Sequence, residues 1–468
     1  MTEAERLARH QRLAQADHRH LWHPFTQMSG WLEEDPLIID AADGVHLVDT
    51  LGRRYLDGVS SLWCNVHGHR VPEIDAAVRA QLDRVAHSTL LGLASTASIE
   101  CAEELLRHVP EGLTRVFFSD AGATAVEIAI KMAFQHHALR GHPERREFVA
   151  LTGGYHGDTI GSVSVGGIDL FHRIFKPLLF EVHHAPQPYC YRCPLGKSLP
   201  SCAMACAGEV EKVLEAHAGK VAALVVEPLV QGADGMIMQP PGYLRRLREA
   251  CDRHGALLVC DEVATGFGRT GTMFAVEQEG VRPDIMTVAK GITGGYLLLA
   301  ATVTSEAIFR SFLGPYEAKK TFFHGHTYAG NPLACAAATA SMRLFTERRL
   351  VAGLPAKAAA LARALQPLAD HPNVGEIRQR GLMVGIELVQ DRGSKAEYDY
   401  ALRVGHQVCQ EARPLGAILR PLGNVVVLMP PLAMTEPQLG ELGAITAEAI
   451  RRATARLGRL AGGSAAER

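Results

Sequence analysis

From about residue 114 to residue 305 the chain alternates short apolar runs with amphipathic stretches, and this pattern constrains its fold most. RVFFS, REFVAL, VAALVVEP, ALLVCDE, IMTVAK and LLLAATVTS read as strands. ATAVEIAIKMAFQHHA and YLRRLREACDRHG, lying between them, read as helices. Strands that are apolar at consecutive positions belong in a mostly parallel sheet covered on both faces, an α/β architecture. Such sheets gather their chemistry at strand carboxyl ends. Glycine, at 45 of 468 residues, suits many tight strand–helix turns.

The flanks read differently. LIID, VHLVD and RRYLDG, within residues 36–58, predict a small antiparallel sheet. Pro72 opens a helix whose apolar residues recur every three or four positions. The C-terminal part predicts helices over 351–368, 396–412 and 436–458, with strands at 382–389 and 425–429. Three regions are expected: residues 1–65 as an N-terminal arm and part of a small domain, 66–345 as a large domain, and 346–468 as the rest of a small α+β domain. Lys+Arg of 48 against Asp+Glu of 50 leaves a net charge of -2, without the basic field that nucleic acid or an anionic membrane requires. No apolar run is long enough to cross a bilayer, and the first twenty residues lack the apolar core of a secretory signal, so a cytoplasmic location is expected.

Only ten of the 48 basic residues are lysines, and one stands apart. IMTVAKGITGG places Lys290 after an apolar strand and before a glycine-rich turn. A lysine there is either a Schiff-base nucleophile activated by desolvation or a strand-end residue reaching solvent. Asp261, ending ALLVCDE, could hold a proton on a pyridine nitrogen, or simply close its strand. Asp120-Ala-Gly-Ala-Thr, between strand and helix, offers Gly122, Ala123 and the following amides as an anion site. Tyr155 in GGYHGDT is either a ring-stacking residue or a structural tyrosine. Together Lys290, Asp261 and the Gly122 turn supply what pyridoxal 5′-phosphate needs. The segment Gly266-Phe-Gly268-Arg-Thr-Gly271 matches a dinucleotide fingerprint in letters only, because it neither follows a strand directly nor opens a good helix.

VVEPLVQG, LLVCDEVATGFGRTG, IMTVAKGITGG and FFHGHTYAGNPLACAAA, at this spacing, resemble the class III aminotransferases of fold-type I. The resemblance runs from residue 20 to about 458. It implies a homodimer with shared active sites, with Lys290 as the cofactor-bearing and proton-transferring residue and Asp261 on the pyridine nitrogen. It implies Gly122, Ala123, His326 and Thr327 around the phosphate, Thr327 reaching it from the neighbouring subunit, and Tyr155 over the ring. Glu227 and Gln231 would lie near the cofactor's oxygen side.

Five segments, HLWHPFTQM, SSLWCNVHGH, FSDAGATAVEIAIKMA, GGYHGDTIG and LRPLGNVVVLMPPL, resemble the biotin-pathway branch of that family. This implies 8-amino-7-oxononanoate as acceptor, with Phe25, Trp63, Tyr155, Lys290, Gly325 and Arg420 as the substrate-binding residues. Arg420, which in isolation reads equally as a surface arginine beside Pro421, would bind the acceptor's carboxylate. Arg269 would position substrate or an active-site loop. Phe25 replaces a tyrosine of one branch, so that position can shape the pocket only by apolar contact. FFHGHTYAGN resembles members that use lysine as donor, so the amino donor is S-adenosylmethionine, the favoured reading, or lysine. The rivals are another ω-aminotransferase and, in a different class, a non-catalytic pyridoxal-phosphate-binding protein; the presence of Lys290, Asp261 and Arg420 together weighs against the latter.

Cys190, Cys193, Cys202 and Cys206 form C-x2-C-x8-C-x3-C in a loop rich in proline. Four soft ligands at this spacing could bind zinc or an iron–sulfur cluster, or remain packed thiols. The aminotransferase chemistry itself needs no metal, so none is assigned to the site. The other six cysteines are scattered and read as small core residues of a reducing compartment.

Overall fold

Val221–Val226 is buried at every position, and the sheet topology explains why so apolar a run is required. The strand lies inside a seven-stranded sheet of order Leu113–Ser119, Ala300–Ser305, Ile285–Val288, Leu257–Asp261, Val221–Val226, Glu147–Leu151, His183–Ala185. Only Ala300–Ser305 runs against its neighbours; the other pairings are parallel. Helices on both faces remove the sheet from water, so no alternation of polar and apolar residues is needed. Gly122–Leu139 shows the same logic from the helix side, burying Ala125, Val126, Ile128, Ala129, Met132 and Ala133. The structure, a computed structural model, describes residues 1–466, with side chains through residue 457.

The two ends of the chain meet. Ile39–Asp43, His46–Asp49 and Arg54–Asp57 form the expected antiparallel sheet, and Ala417–Ile418 joins it in parallel. A separate antiparallel sheet orders Val374–Arg380, Met383–Leu388, Val425–Leu428 and Arg420–Leu422. Leu350–Leu365, Val404–Ala412 and Glu436–Ala466 are the helices of this region. The expected helix over 396–412 is shorter than its pattern suggests. Asp399 accepts from the Ala401 amide (2.8 Å) and caps a short 3-10 turn, and Arg403 turns the chain at φ 47° before Val404 begins the helix. Local side-chain capping there competes with the helix. No helix among the described residues is long and apolar enough to cross a membrane.

One buried charge cluster ties the loop after His183–Ala185 to the C-terminal sheet. Arg378 Nη1 pairs with Glu387 at 2.6 Å, both side chains almost fully buried. Arg192 Nε reaches the other carboxylate oxygen at 2.6 Å, and the Tyr189 hydroxyl donates to Glu387 as well. Burial alone raises the Glu387 pKa, but the Tyr189 hydroxyl and the two guanidinium groups outweigh it and hold the carboxyl below its usual range. A depressed folded-state pKa means the cluster's stabilisation is complete above the ordinary glutamate range and is lost as pH falls through the depressed value. Glu387→Ala leaves buried Arg378 with only the half-exposed Glu376, 2.9 Å from its Nη1, as an anionic partner, and should cost about 3 kcal/mol, the lower end of the range for a broken buried pair. That loss would be read as a lower denaturant midpoint at neutral pH, with the difference from the unmodified protein shrinking as pH falls through the depressed pKa.

Candidate active site

Parallel strands release their loops at one edge, and the edge here is crowded with polar groups. Asp261 is the last residue of Leu257–Asp261, Lys290 follows Ile285–Val288 by two residues, and Glu227 follows Val221–Val226 by one. Asp120, Gly122 and Ala123 continue from Leu113–Ser119, and Tyr155 follows Glu147–Leu151. The reversed strand enters from this edge, so Leu297, Leu298 and Leu299 lie beside the others. These groups line a cavity of about 710 Å³, walled also by Trp63, Cys64, His156 and Asp158.

Lys290 sits at φ 47°, and its Nζ lies 4.9 Å from the centre of the Trp63 ring. Burial lowers its pKa, against the opposing pull of Asp261 and Glu227, so its neutral amine is more accessible than that of a surface lysine. Asp261 is held on three sides. His156 Nδ1 lies 2.7 Å from one carboxylate oxygen, and the Val263 amide and Thr287 hydroxyl each reach the other at 3.1 Å. Burial opposes protonation of His156, but the hydrogen bond and charge of Asp261 overcome this and raise its pKa. Glu227 accepts the amides of Tyr155 (3.0 Å) and Gly232 (2.9 Å), and burial pushes its pKa up to about 7. Gln231 donates to the Thr152 carbonyl at 2.9 Å and lies outside the cavity wall.

The helix Gly122–Leu139 points its N-terminus at the cavity. Its first amides have no intrahelical acceptor and form an anion site. Small residues keep that site open. A Cβ on Gly122 would stand 2.7 Å from Val263 Cγ1, and one on Gly157, at φ 120°, would stand 2.3 Å from Ala123 Cβ.

Trp63 belongs to an unusual turn. Ser60, Ser61, Leu62 and Trp63 are four consecutive left-handed residues, at φ 53°, 48°, 73° and 69°. Each carries a Cβ, so the turn must be held from outside. Arg269, fully buried, does this. Its guanidinium donates to Ser60 Oγ (3.0 Å), the Pro430 carbonyl (2.8 Å) and the Asn65 carbonyl (2.8 Å). Asp57 braces the same turn through the amide and hydroxyl of Ser61, at 2.9 and 2.7 Å.

The structure brings Trp63, Gly122, Ala123, Tyr155, Asp261 and Lys290 to one wall. Phe25, Gly325, His326, Thr327 and Arg420 do not line it. Phe25 packs edge-on to Tyr155, with ring centres 6.5 Å apart, while remaining exposed. Arg420 lies half-buried within electrostatic reach of Tyr155, its Nε buried without a hydrogen-bond partner. His326 Nδ1 lies 3.0 Å from Asp120 at the cavity's edge. Gly325 and Thr327 are exposed, and a Cβ at Gly325 would meet open space.

Nothing local in the sequence marks His156, which follows Tyr155 directly in GGYHGDT; only its pairing with Asp261, 105 residues away, distinguishes it. The described three-residue metal-ligand group, Glu147, His183 and His217, does not belong to the cavity wall.

Residues 29–450 match the model of the class-III aminotransferases. The chain belongs to this family. An adenosylmethionine-8-amino-7-oxononanoate aminotransferase of Nitratidesulfovibrio vulgaris is 59% identical over 92% of this chain and 80% of its own. A protein of the same name from Geobacter sulfurreducens is 53% identical over 92% of this chain and 95% of its own. The crystal structure of the enzyme of that name from Methanocaldococcus jannaschii superposes with a TM-score of 0.90 at 42% identity, covering 94% of this chain and 98% of that one. As a class-III aminotransferase the protein is a pyridoxal-phosphate-dependent enzyme. Its cavity fits that cofactor: a lysine of lowered pKa, an anchored carboxylate, and a helix N-terminus with room for a phosphate.

Arg269→Met should free the left-handed turn and let Trp63 leave Lys290. Tryptophan fluorescence should shift toward that of exposed indole and turnover should fall at least tenfold. Unchanged fluorescence and turnover would show that the turn holds without the guanidinium.

Proposed function

We propose that this aminotransferase converts 8-amino-7-oxononanoate to 7,8-diaminononanoate in the biotin pathway, with S-adenosylmethionine as the amino donor. The observation that carries the reading is Arg420. A half-buried guanidinium with an unpartnered Nε, within reach of a cavity-lining tyrosine, suits the carboxylate of an extended amino-ketone acid. The relatives at 59% and 53% identity carry the name of that activity.

In this reading pyridoxal phosphate supplies, when bound, an electron sink for the carbanion formed at the reacting carbon. Asp261, anchored by His156, Thr287 and the Val263 amide, would accept the pyridine N–H and favour protonation of that nitrogen. Lys290 Nζ, prepared by its lowered pKa, would take the proton from the donor α-carbon and pass it to the C4′ carbon of the cofactor. In the second half-reaction Lys290 would take a proton back from that carbon and deliver it to carbon 7 of the oxononanoate. The amides of Gly122 and Ala123 would hold the phosphate, and Tyr155, in the same cavity wall, would pack against the ring. Trp63, Tyr155 and Phe25 shape the acceptor channel toward Arg420, and Gly325 contacts substrate through its backbone. The two half-reactions share one site, so the kinetics are ping-pong.

The active unit is a homodimer, with Thr327 and His326 contributing to phosphate binding and Thr327 reaching the neighbouring subunit's site. Leu91 and Phe323 are large apolar side chains left 89% and 79% exposed, as residues covered by a second copy would be. The division of the chain at residues 1–65, 66–345 and 346–468 is retained as the domain assignment.

Lys290→Ala should abolish turnover while phosphate-dependent cofactor retention persists; turnover within tenfold of the unmodified enzyme would sink the assignment. Arg420→Ala should raise KM for the oxononanoate about tenfold to a hundredfold, the scale of one lost charge-assisted pair, and leave the donor half-reaction intact. A donor panel read by the cofactor's visible absorbance should respond to S-adenosylmethionine. A response to lysine alone would transfer the donor role to lysine.

A further inference from the structure

The cysteine loop has no part in the chemistry at Lys290, yet the fold gathers it. Cys190, Cys193, Cys202 and Cys206 all line one cavity of about 20 Å³, with Lys197 and Pro240 in its wall. All four are free thiols. They arrive as two pairs, one in the turn after Pro188 and one at the start of the helix Ala205–Ala216. Between the second pair, Ala203 and Met204 are left-handed, at φ 46° and 54°. That reversal brings Cys206, in the helix, to the same cavity as Cys202 in the loop. Arg246 Nη1 fixes it by donating to the Ala203 carbonyl at 2.8 Å. Tyr243, three residues beyond Pro240, has a fully buried hydroxyl with no hydrogen-bond partner.

We propose that these four cysteines are the ligands of a structural zinc ion. Thiolates select soft or borderline ions over magnesium and calcium, and the C-x2-C and C-x3-C pairs have zinc-ligand spacing. A cavity of about 20 Å³ is the size of one atom-sized guest, which favours a single ion. Binding breaks four S–H bonds, forms four Zn–S bonds and releases four protons to solvent, with no change of oxidation state. The resulting site carries two negative charges, and the exposed Lys197 is the one cationic residue among the described residues of its lining.

The sulfurs stand wider than bound ligands do. Among the described residues, the group whose ligand atoms all lie within 4.8 Å is Glu147, His183 and His217, not the cysteines. Neutral thiols have no reason to crowd, and binding in this proposal requires exposed Cys190 and half-buried Cys193 to close on Cys202 and Cys206. The ion thereby braces the loop that carries Tyr189 and Arg192 onto Glu387. Its role is to hold the edge of the large sheet against the C-terminal sheet.

The test uses untagged holoenzyme, incubated with zinc chloride, passed through gel filtration and measured by elemental analysis. About one zinc per chain is expected, released by a mercurial as about four thiols are blocked. The paired substitution Cys190→Ser with Cys193→Ser should cut zinc below a tenth per chain and lower the thermal midpoint, with the cofactor spectrum unchanged. His183→Ala should keep its zinc. If that pair of serines fails to fold, the mercurial release from the unmodified enzyme decides alone. Less than a tenth of a zinc per chain, zinc retained by the serine pair but lost in His183→Ala, bound iron with sulfide, or a mass deficit showing disulfides would each overturn the proposal.

Discussion

Parallel pairing of buried strands is the constraint on which the rest depends. Five strands of the large sheet share one direction beside a single reversed strand, and the outermost, Leu113–Ser119, shares it too. Their carboxyl ends therefore open at one edge. Asp120, Tyr155, Glu227, Asp261 and Lys290 come from five different strand ends and meet because of that shared direction. None of their hydrogen bonds could assemble them from a less regular fold. The hydrophobic effect supplies the force, since runs such as Val221–Val226 find cover only inside such a sheet.

The site is stiff where the chemistry needs fixed direction. Asp261 accepts from an imidazole, an amide and a hydroxyl, so its carboxylate cannot rotate. Trp63 rides on four left-handed residues that a fully buried arginine and a buried aspartate hold in place. Such strain persists only when surrounding bonds over-determine it. Lys290, by contrast, has no hydrogen bond among those at the site and faces an aromatic ring, which leaves its amine free to move.

Much was legible in order of occurrence. The strand–helix alternation, the antiparallel sheet near the N-terminus and the turn before Gly122 all follow from local pattern, because burial on two faces and helix periodicity leave a mark in neighbouring residues. The helix expected over 396–412 shows the limit of that mark. Its apolar spacing is helical, but Asp399 caps a tighter turn and delays the helix to Val404. His156 shows a second limit, since its importance lies in a partner distant along the chain.

By itself the sequence determined which residues end the apolar strands, and so which side chains stand at the functional edge. It also determined the family, through motifs in which Lys290 and Asp261 sit at characteristic spacing. Only the tertiary structure decided that His156 anchors Asp261, that Arg269 holds the Trp63 turn, and that four cysteines from two segments face one cavity. The physical reason is range. Burial and backbone preference act between near neighbours and are written in local pattern. Pairing of buried polar groups acts across the fold and exists only once the chain has closed.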